Sequence, residues 1–356
     1  MTQAVALAQQ ASTGVSQGFK NRIINGAMVI DQRNDGSAVT ADESYPVDRF
    51  QFRETTDGSA SVQRSTTAPA GFANSLLFTV TSADSSLGTN QYAGIRQAIE
   101  GFNVADLNWG TANAKTFTLS FWVRSSVTGT YGGVLRNSAA TRNYPFSYTI
   151  NSADTWEQKS VTVTGDTTGT WLTTNGTGIE LWLTVALASN IAGTAGSWSS
   201  SVVLGVTGQT NIMATNGATW YITGVQLEVG STATSFDYRP YGTELALCQR
   251  YFETYSNGTG TGTIYEGLTG YFATASIFRS AVTFKVTKRT APSMVVPTTY
   301  ALINAFTANY SPSAGGSNFS SPDGAGINYT VSGATGGQGA TVGISSSAPI
   351  TASAEL

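Results

Sequence analysis

A chain of 356 residues with no histidine, one cysteine and a formal charge of −3 has the length for two domains, but it lacks the residues for the Ser-His-Asp triad, the Cys-His dyad, a histidine base, a histidine metal site or an intrachain disulfide. Charged residues make up 11% of the chain and hydrophobic ones 40%, too little charge to clothe long soluble helices and too much apolar surface for a disordered coil. Scattered Lys and Arg gather no phosphate backbone, so nucleic acid is not an expected partner; no run of 18 apolar residues predicts membrane insertion, and the N-terminal residues do not read as a signal peptide.

Residues 1–30 read as a short N-terminal helix or tail. Val5, Ala8, Ser12, Val15 and Phe19 recur at spacings of 3 and 4, a heptad outline interrupted by Gly14 and suited to ordering against a partner. From Phe50 to about Val229 the apolar period is 2, as in strands separated by small-residue turns. Phe117, Leu119, Phe121 and Val123 alternate with Thr118, Ser120, Trp122 and Arg124; Ile179, Leu181, Leu183, Val185 and Leu187 alternate with Glu180, Trp182, Thr184 and Ala186. Further strands are expected at 50–54, 76–81, 157–164 and 220–229. Alternation of this kind packs one face and wets the other, so the expected fold is all-β, with an antiparallel sandwich over residues 31–241.

At 242–252 the pattern turns helical: Thr243 can cap, Glu244 suits the first turn, and Leu245, Cys248 and Phe252 share a face. A linking helix over 242–254 therefore marks a domain junction. Beyond it, alternation returns at 271–286 and 293–303, a Gly/Ser-rich stretch covers 311–340, and a last strand is expected near 341–351. The second domain, 255–356, is thus a smaller β domain with long loops.

The segments NRIINGAMVIDQRN (21–34), YPVDRFQF (45–52), GIRQAIEG (94–101) ahead of TFTLSFWVRS, and GVQLEVGSTATSFDYRPYGTELALCQRYFETY (224–255), with the terminal ASAEL, resemble a tailed-bacteriophage virion protein of the tail-fibre, receptor-binding class. The 224–255 block is the most specific, because strand, turn and capped helix follow in one order. The resemblance implies a jelly-roll domain like those of carbohydrate-binding modules, assembly as a homotrimer, and a place on the virion after assembly in the bacterial host cytoplasm. It also implies docking of residues 1–30 on another virion protein and host adsorption through a cell-surface polysaccharide. Such a likeness supports a place in the particle better than any one ligand.

Trp122 and Trp182 fall on the wet faces of their strands, opposite the aliphatic rows. An indole there can stack on a sugar ring while polar neighbours bond its hydroxyls, so Trp122, Arg124, Glu180 and Trp182 form a candidate glycan site; covering by loops or a neighbouring subunit is the competing explanation. Trp109, Tyr131, Tyr144 and Trp171 fall in Gly/Asn/Thr-rich connections, either as recognition residues or as plugs for the ends of the sandwich. One indole on one sugar buries on the order of 50 to 100 Å², worth about 1 to 3 kcal/mol. That corresponds to roughly millimolar binding, so adhesion calls for a multimer.

Catalysis is not expected. The carboxylate pairs Asp154 with Glu157 and Asp31 with Asp48 are explained more simply by turns and Arg partnering than by glycoside hydrolysis. A depolymerase is accordingly the weaker alternative, behind a purely structural head-fibre, decoration or tail component without ligand. No cofactor or metal is expected, since no EF-hand-like run is present. Gly258, Gly260 and Gly262 read as a flexible connection, and Lys285, Lys288 and Arg289 as a solvated or edge-protecting cluster. Asp48 with Arg49, and Asp237 with Arg239, read as ion pairs, and Cys248 as a small buried hydrophobe.

Overall fold

The computed structural model describes residues 20–256, 268–299, 301–305 and 308–356; the heptad outline at 5–19 and the glycines at 258, 260 and 262 lie outside them. The chain is all-β and divides into two compact units. One takes Ala38–Ser44, Phe52–Pro240 and the residues through Val29; the other takes Ile30–Ser37, Tyr45–Gln51 and Tyr241–Leu356. Residues 31–37 and 45–51, which chain order assigns to the sandwich, thus fall in the second unit, together with Ile30.

The first unit contains β1 (Gln51–Glu54, from Phe52 onward), β2 (Ser59–Ser65), β3 (Ser75–Ser82), β4 (Tyr92–Glu100), β5 (Phe117–Ser125), β6 (Gly129–Arg136), β7 (Asn143–Ile150), β8 (Glu157–Val163), β9 (Thr177–Leu187), the short β10 (Ala192–Gly193) and β11 (Gly205–Val206), and β12 (Thr219–Val229). Two five-stranded sheets form, in the orders β1-β4-β9-β6-β7 and β2-β3-β12-β5-β8. Both place sequence-distant strands side by side, as a jelly roll does. The aliphatic and aromatic rows read from the sequence are buried: Phe117, Leu119, Phe121 and Val123 on β5, and Leu181, Leu183 and Val185 on β9. Edge-on ring pairs, Phe52 with Phe78 and Phe121 with Tyr148, lock the packing.

The second unit contains α1 (Tyr241–Gln249), β13 (Phe252–Tyr255), β14 (Leu268–Thr274), β15 (Ile277–Thr283), β16 (Ser293–Val295), β17 (Leu302–Ala305), β18 (Asn309–Tyr310), β19 (Ala314–Ser320), β20 (Gly324–Thr330), β21 (Gly339–Gly343) and β22 (Ile350–Ser353). It has a three-stranded sheet, β13-β22-β16, and a seven-stranded one, β18-β17-β21-β14-β15-β20-β19, over a core that includes Phe272, Phe278, Ile303, Ile327 and Val342. The helix is shorter than the 242–254 read from the sequence, because Phe252 already pairs with Ser353 in the sheet. The Gly/Ser-rich stretch is not a loop: β19 and β20 run antiparallel through it. Glycine is what lets them approach, since a Cβ on Gly326 would lie 2.4 Å from the Phe319 ring.

Three expectations about charges are corrected. Asp48 and Arg49 do not pair with each other. Asp48 accepts from the Gln32 N–H at 3.1 Å and faces Arg33 at 3.3 Å, while Arg49 and Arg33 both reach Glu355. Asp237 instead accepts from the backbone N–H groups of Lys20 and Asn21, and Arg239 donates to the Ile23 carbonyl. Lys288 is not a solvated cation. It is 1% exposed, with its ammonium 2.6 Å from Glu253 and 2.6 Å from the Gln249 carbonyl, and burial lowers its pKa against the pull of Glu253. Cys248 is fully buried, and burial raises its thiol pKa well above the usual range, as expected of an inert packing residue.

Candidate functional site

The outer face of β5 carries Ser120, Trp122 and Arg124, which pair across the sheet with Gln226, Thr223 and Tyr221 of β12. On its other side, Trp122 opposes Gln158 of β8. Between Thr223 and Gln226 the register slips, and the bulge places Gly224 at φ +62°. A bulge with a left-handed glycine re-aims the strand and leaves bare backbone facing outward. A Cβ at Gly224 would lie 2.7 Å from Phe72 Cζ and 3.2 Å from Trp122 Cδ1, so both rings rest where a side chain would otherwise stand.

The segment after β12 then folds back over the sheet. The Asp237 N–H donates to Gln226 Oε1 at 2.8 Å, the Thr234 N–H to Glu228 Oε1 at 2.8 Å, and the Tyr238 hydroxyl to the Gly71 carbonyl at 2.8 Å. Alternation within this segment sends Asp237 inward to the Lys20 and Asn21 N–H groups and turns Phe236 and Tyr238 toward Phe72. The three rings meet at centroid distances of 5.1, 5.5 and 4.8 Å.

Together with Trp122 they wall a groove of about 250 Å³ whose remaining lining includes Ser120 and Gln158. At ~30 Å³ per water this is room for about eight waters, or one hexose. Tyr238 is 57% exposed at the mouth. Beside the groove, the Arg124 guanidinium lies 5.1 Å over Tyr221 and donates to the Asp154 carbonyl and carboxylate, and Trp156 meets Tyr221 edge-on at 6.0 Å. Ring faces flanked by hydroxyl and amide groups suit the C–H face and the hydroxyls of a sugar.

Of the residues singled out from the sequence, only Trp122 and Arg124 share this face. Glu180 and Trp182 sit on β9, in the other sheet, so the four-residue constellation is not assembled. Trp182 is 3% exposed, packed with Val134, Val203 and Leu204 and edge-on to Tyr92. Residues after β9 therefore cover it, which was the competing explanation for a tryptophan on that strand. Its indole N–H donates to Glu180 Oε2 at 2.8 Å, and Arg96 and Arg136 reach the same carboxylate at 2.7 Å each. Burial alone would raise Glu180, but the two arginines and these hydrogen bonds hold it below the usual carboxylate range.

Tyr131 and Tyr144 are strand residues of β6 and β7, not loop residues. Tyr131 is buried, its hydroxyl bonded to Ser125 Oγ and the Val127 carbonyl. Trp109, Tyr144 and Trp171 gather around Trp198 at centroid distances of 5.2, 5.2 and 5.4 Å, with Trp109 also stacked on Phe117. The Trp109, Trp171 and Trp198 indole N–H groups each find a backbone carbonyl. This cluster fits the plug alternative. The carboxylate pairs are likewise taken up locally, Asp154 by Arg124 and Glu157 by Lys159 at 2.5 Å and the Asn151 N–H at 2.8 Å.

Phe72, Gln158, Phe236 and Tyr238 escape a reading of the sequence. Phe236 and Tyr238 left a trace, their alternation across Asp237, whereas Phe72 stands alone between Gly71 and Ala73 with no period to mark it. Among the described residues no three His, Cys, Asp or Glu side chains gather as a metal site, and no helix is long and apolar enough to cross a membrane.

No family model matches the chain, and no curated protein does. Solved structures similar to it include the enzymatically active domain of tailspike protein 4 of bacteriophage CBA120, at 10% identity and TM-score 0.33 over 59% of this chain and 21% of that one. A putative sugar-binding protein of Bacteroides thetaiotaomicron is similar at 12% identity and TM-score 0.36, over 59% of this chain and 100% of that one. The family 11 carbohydrate-binding module of a Clostridium thermocellum cellulosomal cellulase is similar at 10% identity and TM-score 0.30, over 56% and 98%. This chain therefore spans about a fifth of the length of the tailspike domain.

Proposed function

We propose that this chain is a surface component of a tailed-phage virion, a fibre or spike that holds its bacterial host through a cell-surface glycan. The binding half rests on one observation: an open groove of about 250 Å³ on the outer face of a sheet, walled by Phe72, Trp122, Phe236 and Tyr238, with Gly224 beneath the Phe72 and Trp122 rings. The place on the virion rests on the segments 21–34, 45–52, 94–101 and 224–255. One pyranose flanked by Trp122 and Phe236 buries roughly 100 Å² of apolar surface, worth about 2 to 3 kcal/mol, and hydrogen bonds to Ser120 or Gln158 add about 1 kcal/mol each. That places a single site near millimolar affinity. Presentation on a homotrimer, with ~10² to 10⁴ in avidity, turns such a site into an adhesin. The reading is of binding without hydrolysis, since no carboxylate lines the groove to serve as the acid or base of a glycosidase.

Glycan-array binding and calorimetry with the intact chain test the proposal. Trp122→Ala is expected to weaken binding at least tenfold, to leave the melting temperature of the sandwich within a few degrees, and to reduce adsorption of particles carrying it. Unchanged glycan binding and adsorption in particles that assemble normally would leave a purely structural component. Release of reducing ends from host polysaccharide would overturn the non-catalytic part. Gold-labelled antibody on purified particles checks the location.

A further inference from the structure

We infer that the groove selects uncharged sugar residues over carboxylated ones, an inference that rests on the glycan-binding reading above and narrows it to a substrate class. Every side chain lining the groove is uncharged at neutral pH: the four aromatic walls, Ser120, Gln158 and, at the rim, small residues. The ionic groups beside it have partners of their own. Arg124 is held by Asp154 through two hydrogen bonds at 2.9 and 3.1 Å. Lys20, at the rim, donates its ammonium to the hydroxyl of the lining residue Thr234 and lies 4.0 Å from Glu228, whose carboxylate also accepts from the Thr234 N–H and from Gln226 Nε2 at 2.8 Å each. Asp237 is turned away onto two backbone N–H groups.

A sugar carboxylate entering the groove would shed water and meet ring faces, which carry the negative lobe of the aromatic quadrupole. No lining side chain is a cation, and the Lys20 ammonium at the rim is already engaged by Thr234 and Glu228, so an anion desolvated against the rings is strongly disfavoured. A hydroxymethyl group in the same place carries no such penalty and can bond to Gln158 or Ser120. The two differ only in the oxidation level of one carbon, so the discrimination falls on charge.

The test uses the intact chain and matched neoglycoconjugates that differ only at C6, glucoside against glucuronoside and galactoside against galacturonoside. Host surface polysaccharide before and after carboxyl reduction is measured alongside. The expected result is at least tenfold tighter Trp122-dependent binding of the neutral member, and tighter binding of host polysaccharide after reduction than before. Gln158→Lys, a change at an exposed wall residue, is expected to raise affinity for the carboxylated member about tenfold with no change in melting temperature. Trp122-dependent binding that is equal or tighter for the uronosides overturns the charge selection while leaving glycan binding intact, as does a neutral-to-acidic ratio that Gln158→Lys does not move. Absence of Trp122-dependent binding to any glycan removes the glycan reading and this inference together.

Discussion

Asp48 offers a quantitative test of how burial and pairing compete in the second unit. It is 1% exposed, and burial pushes its pKa up to about 6 despite the opposing effects of Arg33 and of hydrogen bonds from Gln32. In the unfolded chain the same carboxyl titrates near ~3.9. The folded state therefore binds the proton more tightly than the unfolded state, and stability is greatest below about pH 4, falls as pH rises toward about 6, and is flat above. A difference of about two pKa units at 1.36 kcal/mol each makes this loss about 3 kcal/mol. Asp48→Asn fixes the uncharged form and keeps an oxygen for the Gln32 N–H, so its stability relative to the parent should improve by about 3 kcal/mol between pH 4 and pH 7.5.

The structure supplies a reporter for this. All seven tryptophans lie in the sandwich, so their fluorescence does not follow the second unit, but the single buried thiol of Cys248 does. Its labelling by a thiol reagent, compared between variant and parent at each pH, reads the opening equilibrium directly. The expected change in the variant-to-parent labelling ratio across that pH span is about 10²-fold. Parallel pH profiles for the two proteins would refute the reasoning and mean that Arg33 and Gln32 keep Asp48 ionised throughout.

Two further substitutions extend the logic. Glu355→Ala removes the carboxylate that Arg33 and Arg49 share, and with one partner of a buried pair gone the second unit should lose about 3 to 5 kcal/mol, seen as accelerated Cys248 labelling with tryptophan fluorescence unchanged. Gly224→Ala places a methyl group against Phe72 and Trp122 at a backbone of φ +62°; it should cost about 1 to 2 kcal/mol in urea unfolding followed by tryptophan fluorescence and abolish glycan binding, so retained binding would show that the bulge does not shape the groove.

What the sequence makes legible here is facing, and what it hides is covering. The period of 2 in β5 and β9 assigns Trp122 and Trp182 to outer faces, yet one lines an open groove and the other is sealed under the segment that follows its strand. That difference depends on where a distant loop folds, which no local period encodes. Phe236 and Tyr238 reach the groove because Glu228 holds the Thr234 N–H ahead of them and Gln226 the Asp237 N–H between them, a dependence on partners rather than on spacing. In β19 and β20, small residues erase the hydrophobic contrast that would announce a hairpin. Asp48 and Arg49 are adjacent and opposite in charge, but Arg49 has φ +72°, so the neighbours diverge toward Arg33 and Glu355. Adjacency along the chain was the wrong guide.

The shared carboxylate of Glu355 and the central position of β22 also bear on how the molecule is made. An early stretch, from Ile30 to Gln51, belongs to a unit whose completing strand is Ile350–Ser353. During synthesis those first residues must remain unsatisfied while some three hundred others emerge, although the sandwich strands up to Val229 can already close on one another. Contacts of such long sequence separation form late and slowly. A translation product interrupted between residues 240 and 350 would therefore carry a finished β-sandwich and an unfinished second unit whose Arg33 and Arg49 lack the Glu355 carboxylate, a state that cellular proteases can recognise and clear.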